Sequence, residues 1–196
     1  MKHLLITGFD PFGGETVNPS WEAVSRLPDV VGGYRLTKLQ IPTIFGLAAE
    51  TVLAAAAADR PDVILCVGQA GGRDAVTPER IAVNIASARI PDNAGNQPLE
   101  APILPGAPDG IFATVPVFAM AEAMCAAGLP GKISNTAGTF VCNDTLYRLL
   151  HHCAGTGIRA GFVHVPCLPE QAKDGAPSLA LTEIVAALTA AIGALG

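Results

Sequence analysis

Residues 62 to 67, Asp-Val-Ile-Leu-Cys-Val, form an apolar run without the polar alternation of a strand that has one wet face. Such a run is consistent with a strand buried on both sides, and that places it in a parallel sheet with helices above and below. The rest of the chain keeps the matching rhythm. Residues 2 to 7, 34 to 41 and 160 to 165 have strand character. Between and after them, apolar stripes and alanine-rich stretches predict helices over 43 to 58, 117 to 127, 143 to 153 and 177 to 195. A further helix starts at Pro19, with Asn18 as its cap. Residues 132 to 135 read as a short strand, and 79 to 90 as a strand or hairpin arm on their β-branched content. The expected fold class is α/β, a single domain over residues 1–196. Its open, twisted, mostly parallel sheet is flanked by helices on both faces, in the manner of phosphorylases and hydrolases.

Composition narrows the function. Hydrophobic residues make up 50% and charged residues 15% of the chain, which excludes a disordered protein and suggests surface buried between subunits, hence a homo-oligomer. With a net charge of −5 and scattered cations there is no basic patch for nucleic acid. The opening Met1-Lys2-His3 leads into a short apolar run rather than a secretory segment, and the alanine-rich stretch 47 to 58 is too short to span a bilayer. A cytoplasmic protein without membrane contact is expected. The five cysteines are an odd number without metal-site spacing, so neither a disulfide framework nor a zinc site is indicated.

Loops that follow the strands of such a sheet line its ligand crevice. Two are rich in glycine: Gly8-Phe9-Asp10-Pro11-Phe12-Gly13-Gly14 and Gly68-Gln69-Ala70-Gly71-Gly72-Arg73. Neither has the spacing of a dinucleotide fingerprint or a P-loop. Residues 91 to 110 form a long irregular segment of the kind that acts as a lid or binding loop. Cys142 leaves a glycine-containing turn into a helix start, where unpaired backbone N–H groups and the peptide dipoles favour thiolate. His164 closes a strand, so both side chains emerge at the carboxyl edge of the sheet. An imidazole there serves as base toward the thiol, and a carboxylate such as Glu79 fixes its tautomer. Each residue also has a plain structural reading: a small buried hydrophobe, a core histidine, and a Glu79-Arg80 pair facing water at a strand end. Asp144, two residues past the thiol, would raise its pKa unless paired or turned away.

Six blocks, taken in order, resemble the pyroglutamyl peptidase I family of cysteine peptidases, also called pyrrolidone carboxyl peptidases. They are Gly8 to Gly14 with Asn18-Pro19-Ser20, Gly68 to Arg73, Glu79 to Asn84, Ala88 to Asn93, Thr136 to Asn143, and His164-Val165-Pro166. The resemblance implies removal of N-terminal pyroglutamate from peptides, with Cys142 as nucleophile, His164 as acid and base, and Glu79 as the orienting carboxylate. It further implies a lactam pocket of Phe9, Phe12 and Phe140 with Asn18, Gln69, Ile90 and Val141 nearby, Arg89 adding positive charge near the reacting carbonyl, no cofactor, and a homotetramer. Two other classes compete: a silent pyroglutamyl-binding protein, and a nucleoside-phosphorylase-like enzyme on a related sheet.

Overall fold

The computed structural model describes residues 1–196. The chain runs β1 (Lys2–Phe9), α1 (Pro19–Arg26), β2 (Val30–Val31), β3 (Tyr34–Ile41), α2 (Leu47–Asp59), β4 (Val63–Gln69), β5 (Thr77–Pro78), β6 (Ile81–Val83), β7 (Gly110–Phe112), α3 (Val117–Ala126), α4 (Val141–Cys153), β8 (Arg159–Val165) and α5 (Leu181–Gly193). Six strands make one sheet in the order β2-β3-β1-β4-β8-β5, and β6 and β7 form a separate two-stranded ribbon. The four long strands β3, β1, β4 and β8 are mutually parallel; the short edges β2 and β5 are antiparallel.

Period-two alternation sends the strand side chains to two cores. Leu4 and Ile6 of β1, with Val63, Leu65 and Val67 of β4, pack under α1, α3 and α5. Leu5 and Phe9, with Ile64 and Cys66, pack under α2 and α4. Both faces of β4 are therefore apolar, which is why its sequence shows no alternation. Each fully buried aliphatic side chain here contributes about 1.5–3 kcal/mol. No helix is long and apolar enough to cross a membrane.

Several local expectations need correction. The second helix starts at Leu47 rather than Thr43, because Thr43 is bonded to the Asp10 carboxylate and Gly46 at φ 73 makes the turn into the helix. Of residues 79 to 90 only 81 to 83 are strand. The rest pairs irregularly with later loops, as in Asn84 N–H to Asp109 O and the Ala86 and Ala101 bridge. Residues 132 to 135 make only an isolated bridge through Ser134 to Glu79. The last helix begins at Leu181, since Ser178 is held in an extended bridge to Cys167 and Leu179 N–H donates to Cys167 O. Residues 91 to 109 are irregular, as expected, and α4 starts at Val141, two residues early.

Candidate active site

Strands β4 and β8 lie side by side in parallel, in a register that pairs Gly68 with His164. Two residues before each, Cys66 and Phe162 face the α4 side, so Gly68 and His164 face it too. The first turn of α4 then carries Cys142 over Gly68. A β-carbon built on Gly68 would lie 2.9 Å from the Cys142 sulfur and 2.8 Å from the Phe162 ring. The missing side chain is what lets the helix start come this close to the sheet.

Beyond His164, the edge strand β5 pairs Thr77 with His164, and Glu79 N–H donates to Phe162 O at 2.9 Å. This backbone course buries the Glu79 side chain completely against the histidine. Glu79 Oε1 accepts from His164 Nδ1 at 2.7 Å and from Arg73 Nη1 at 2.6 Å. Because a carboxylate oxygen only accepts, Nδ1 carries the proton, and the neutral imidazole then has its lone pair on Nε2. The solvated strand end is thus excluded for Glu79. Arg80, its neighbour, lies half-buried with its guanidinium 4.9 Å from the Phe118 ring centroid.

The electrostatics differ from the helix-dipole expectation. Burial first, and the Glu79 charge second, push the Cys142 thiol up to about 12; Arg73 and the thiol's own backbone N–H pull it back only in part. Burial also lowers His164, against the opposing pull of Glu79. Burial weighs against the charged form of each, and so works against the thiolate that a helix start favours. Asp144 takes no part. Its buried carboxylate accepts from Arg148 Nε at 2.9 Å and from Gly46 N–H at 2.9 Å, so it is paired and turned toward the start of α2.

Cys142 and His164 open onto a cavity of about 320 Å³ that also takes in Phe9, Phe12, Phe140, Asn18, Thr43 and Gln69. The Phe12 and Phe140 rings lie 6.1 Å apart, and Phe45 stacks its edge on Phe140 at 5.3 Å. Asn18 both caps α1, accepting from Ser20 N–H, and lines the cavity. Gln69 Nε2 donates to the Cys167 sulfur at 3.2 Å, leaving Oε1 buried without a partner. Thr43 and Arg73 were not among the residues singled out. Arg73 belongs to the glycine-rich loop after β4, and its position there was the only signal. Asp10 ties the cavity loops together: its Oδ1 accepts from Thr43 N–H and Oγ1, each at 2.7 Å, and from Asn93 Nδ2 at 3.2 Å.

Arg89, expected near the reacting carbonyl, and Val141 do not line this cavity, and Ile90 lies beside it. Arg89 and Ile90 line an adjoining hollow of about 330 Å³ that shares Phe12, Gly138 and Phe140 with the first. The guanidinium on the cavity that Cys142 and His164 line is that of Arg73. Val141 is fully buried in the core between the sheet and α4, facing away from the cavity that its neighbour Cys142 lines. No group of three or more His, Cys, Asp or Glu side chains comes together as a metal site.

The model of the pyroglutamyl peptidase family matches residues 2–196 of the chain. The chain belongs to that family. Among curated relatives it is similar to the pyrrolidone-carboxylate peptidase of Levilactobacillus brevis, with 55% identity over 98% of this chain and 96% of the relative. It is similar likewise to that of Escherichia fergusonii, with 49% identity over 98% and 92%. Among solved structures, the pyroglutamyl peptidase I of Bacillus amyloliquefaciens superposes with a TM-score of 0.96 at 46% identity, covering 100% of this chain and 97% of that one. The enzyme of Thermococcus litoralis gives 0.94 at 34% identity, over 100% and 93%. The open α/β architecture is common to the family, and a cysteine at the head of α4 fits a peptidase of the cysteine type.

Proposed function

We propose that this chain hydrolyses the amide bond after an N-terminal pyroglutamyl residue, through a thioester on Cys142. The observation that carries the reading is the placing of a helix-start thiol and a carboxylate-held imidazole on one aromatic-walled cavity. Pyroglutamate is a flat, neutral ring with an amide edge. Phe9, Phe12 and Phe140 suit its faces, and the Gln69 and Asn18 amide side chains on the cavity wall suit its amide edge. A free α-amino group would bring a charge without an anionic partner, because the Glu79 carboxylate is engaged by His164 and Arg73.

In this cycle His164 Nε2 takes the thiol proton as the sulfur attacks the pyroglutamyl carbonyl. The oxyanion forms beside the Cys142 backbone N–H at the positive end of α4. The imidazolium, steadied by Glu79, gives its proton to the departing peptide amine. Water, with His164 again as base, then cleaves the thioester and frees pyroglutamate.

A fluorogenic pyroglutamyl amide is expected to be hydrolysed, and the glutamyl and prolyl amides far less. Absence of release in reducing buffer would refute the activity. Cys142→Ala and His164→Ala should each abolish turnover, while Glu79→Gln leaves a residue; a fully active Cys142→Ala would remove the thiol from its role. We also read the chain as cytoplasmic, supported by five unpaired cysteines, and as a homotetramer, supported by exposed Phe112 and Phe118. Light scattering tests the assembly.

A further inference from the structure

Glu79 is a fully buried carboxylate whose second oxygen, Oε2, has no partner, so its charge is met through Oε1 alone. Two donors share that oxygen, His164 Nδ1 and Arg73 Nη1. The same guanidinium donates to Thr77 Oγ1 on β5 and, through Nη2, to Thr136 O at 3.0 Å. Thr136 belongs to the cavity wall that leads through Gly138 and Phe140 to Cys142. One side chain thus touches the carboxylate, the edge strand and the loop that presents the nucleophile.

We infer that Arg73 is a positioning residue for the reaction: it balances the buried Glu79 charge on the oxygen that holds His164, so that the imidazole stays a base. This rests on the peptidase reading above. A buried carboxylate without a counter-ion would draw the imidazole toward imidazolium, which has no lone pair for a thiol proton, and would also oppose a thiolate. The guanidinium acts against both effects, lowering His164 and Cys142 alike. The other groups around His164 leave this role to Arg73. Glu79 supplies the negative charge, the Cys142 thiol faces it from α4, the Cys66 thiol of β4 lies near Cys142, and the Asp144 carboxylate is spent on Arg148 and Gly46. Arginine suits the task because its fork reaches the carboxylate and the Thr136 carbonyl together.

Two readouts test the inference: the pH profile of kcat/KM on a pyroglutamyl amide, and the rate at which iodoacetamide alkylates Cys142 at fixed pH, followed by mass spectrometry. Arg73→Gln should move the acid limb to higher pH, slow alkylation, and lower kcat/KM at pH 7 by about tenfold or more. Arg73→Lys, which keeps the charge, should hold limb and alkylation near wild type. A folded Arg73→Gln with unmoved limb and unchanged alkylation overturns the inference, whatever its activity, as does Arg73→Lys shifting as far as Arg73→Gln. Should Arg73→Gln fail to fold, Glu79→Gln is compared with Glu79→Gln/Arg73→Gln. Faster alkylation in the single variant supports the guanidinium's action at the sulfur, and equal rates refute it. A wild-type chain that releases no pyroglutamate refutes the peptidase reading alone, since the alkylation rates still decide on Arg73.

Discussion

The Cys142 sulfur stands where Gly68 has no side chain, 2.9 Å from the position a β-carbon would take. Gly68→Ala must therefore displace the thiol or the Phe162 ring, and that ring lies 4.8 Å from the His164 imidazole. Turnover should fall at least tenfold with a loss of stability of about 1–3 kcal/mol. Steady-state kinetics and urea denaturation of the variant check both. Wild-type kcat in Gly68→Ala would mean that the close approach has no bearing on attack.

Acid should act on two levels. Burial lowers His164, so the folded imidazole stays neutral to a pH below its ordinary value of 6.5. The acid limb of kcat/KM is expected below that value. The unfolded chain binds the proton more readily, so stability is kept above 6.5 and falls as pH drops from there toward the folded value. Thermal melts at several pH values should show the loss, and His164→Gln should reduce it.

Alkali should act through the thiols. Cys66 and Cys142 are both pushed up to about 12 from an ordinary 9.0, and Cys153 is raised as well. Here the folded chain holds protons that the unfolded chain releases. Stability is complete below about pH 9 and declines as pH rises beyond it. Cys66→Ala should flatten the decline while costing core packing; an unchanged slope would mean that this thiol titrates alike in both states.

Asp144→Asn separates charge from position. The substitution removes an ion pair with Arg148 and a charged acceptor for Gly46 N–H, at an expected cost of about 1–3 kcal/mol. The limbs of the pH profile should not move, because the carboxylate is paired away from the thiol. A shifted limb in a folded variant would show that its field reaches the sulfur.

Asn143 fastens the segment after Glu79 to the helix that carries the thiol. Its Oδ1 accepts from Val83 N–H, and its Nδ2 donates to Val83 O and Ile85 O. Asn143→Ala strips three bonds from a fully buried site and should lower stability by roughly 2–4 kcal/mol, read from denaturant midpoints. A loss under 0.5 kcal/mol, roughly that of a surface substitution, would make these bonds incidental.

The strands and most helices were legible because burial on both faces of β4, and period-two sorting along β1, write themselves into residue type. Residue type alone left plain structural readings open for Cys142, Glu79 and His164; the resemblance of six blocks marked them as a set, and the fold opens Cys142 and His164 onto one cavity with Glu79 bonded to the imidazole. The resemblance put Val141 near the pocket, yet successive helix residues are turned by about 100°, and the thiol's neighbour is buried in the core. The same rotation carries Asp144 away from the sulfur. The helix expected from residue 43 starts later because the partner of Thr43, Asp10, is 33 residues away. The thiol's raised pKa was beyond reach for a related reason: a helix start is visible in a sequence, whereas the desolvation that outweighs it depends on what folds over it. Arg73 gave no sign of burial partners, since Glu79 and Thr136 meet it only in three dimensions.

The Asp10 carboxylate also bears on selectivity. By joining Thr43 of one loop to Asn93 of another, while Asn93 also holds Pro11 O, it sets the aromatic walls before any ligand arrives. Little conformational entropy is then left for a ligand to remove on entry, and a small ring gains affinity from a mould already cast. On the proposed reading, discrimination becomes a matter of the shape that the Phe9, Phe12 and Phe140 walls impose. A ring of larger outline would, on that reading, have to shift those walls before it could enter, and would lose affinity by what that shift costs.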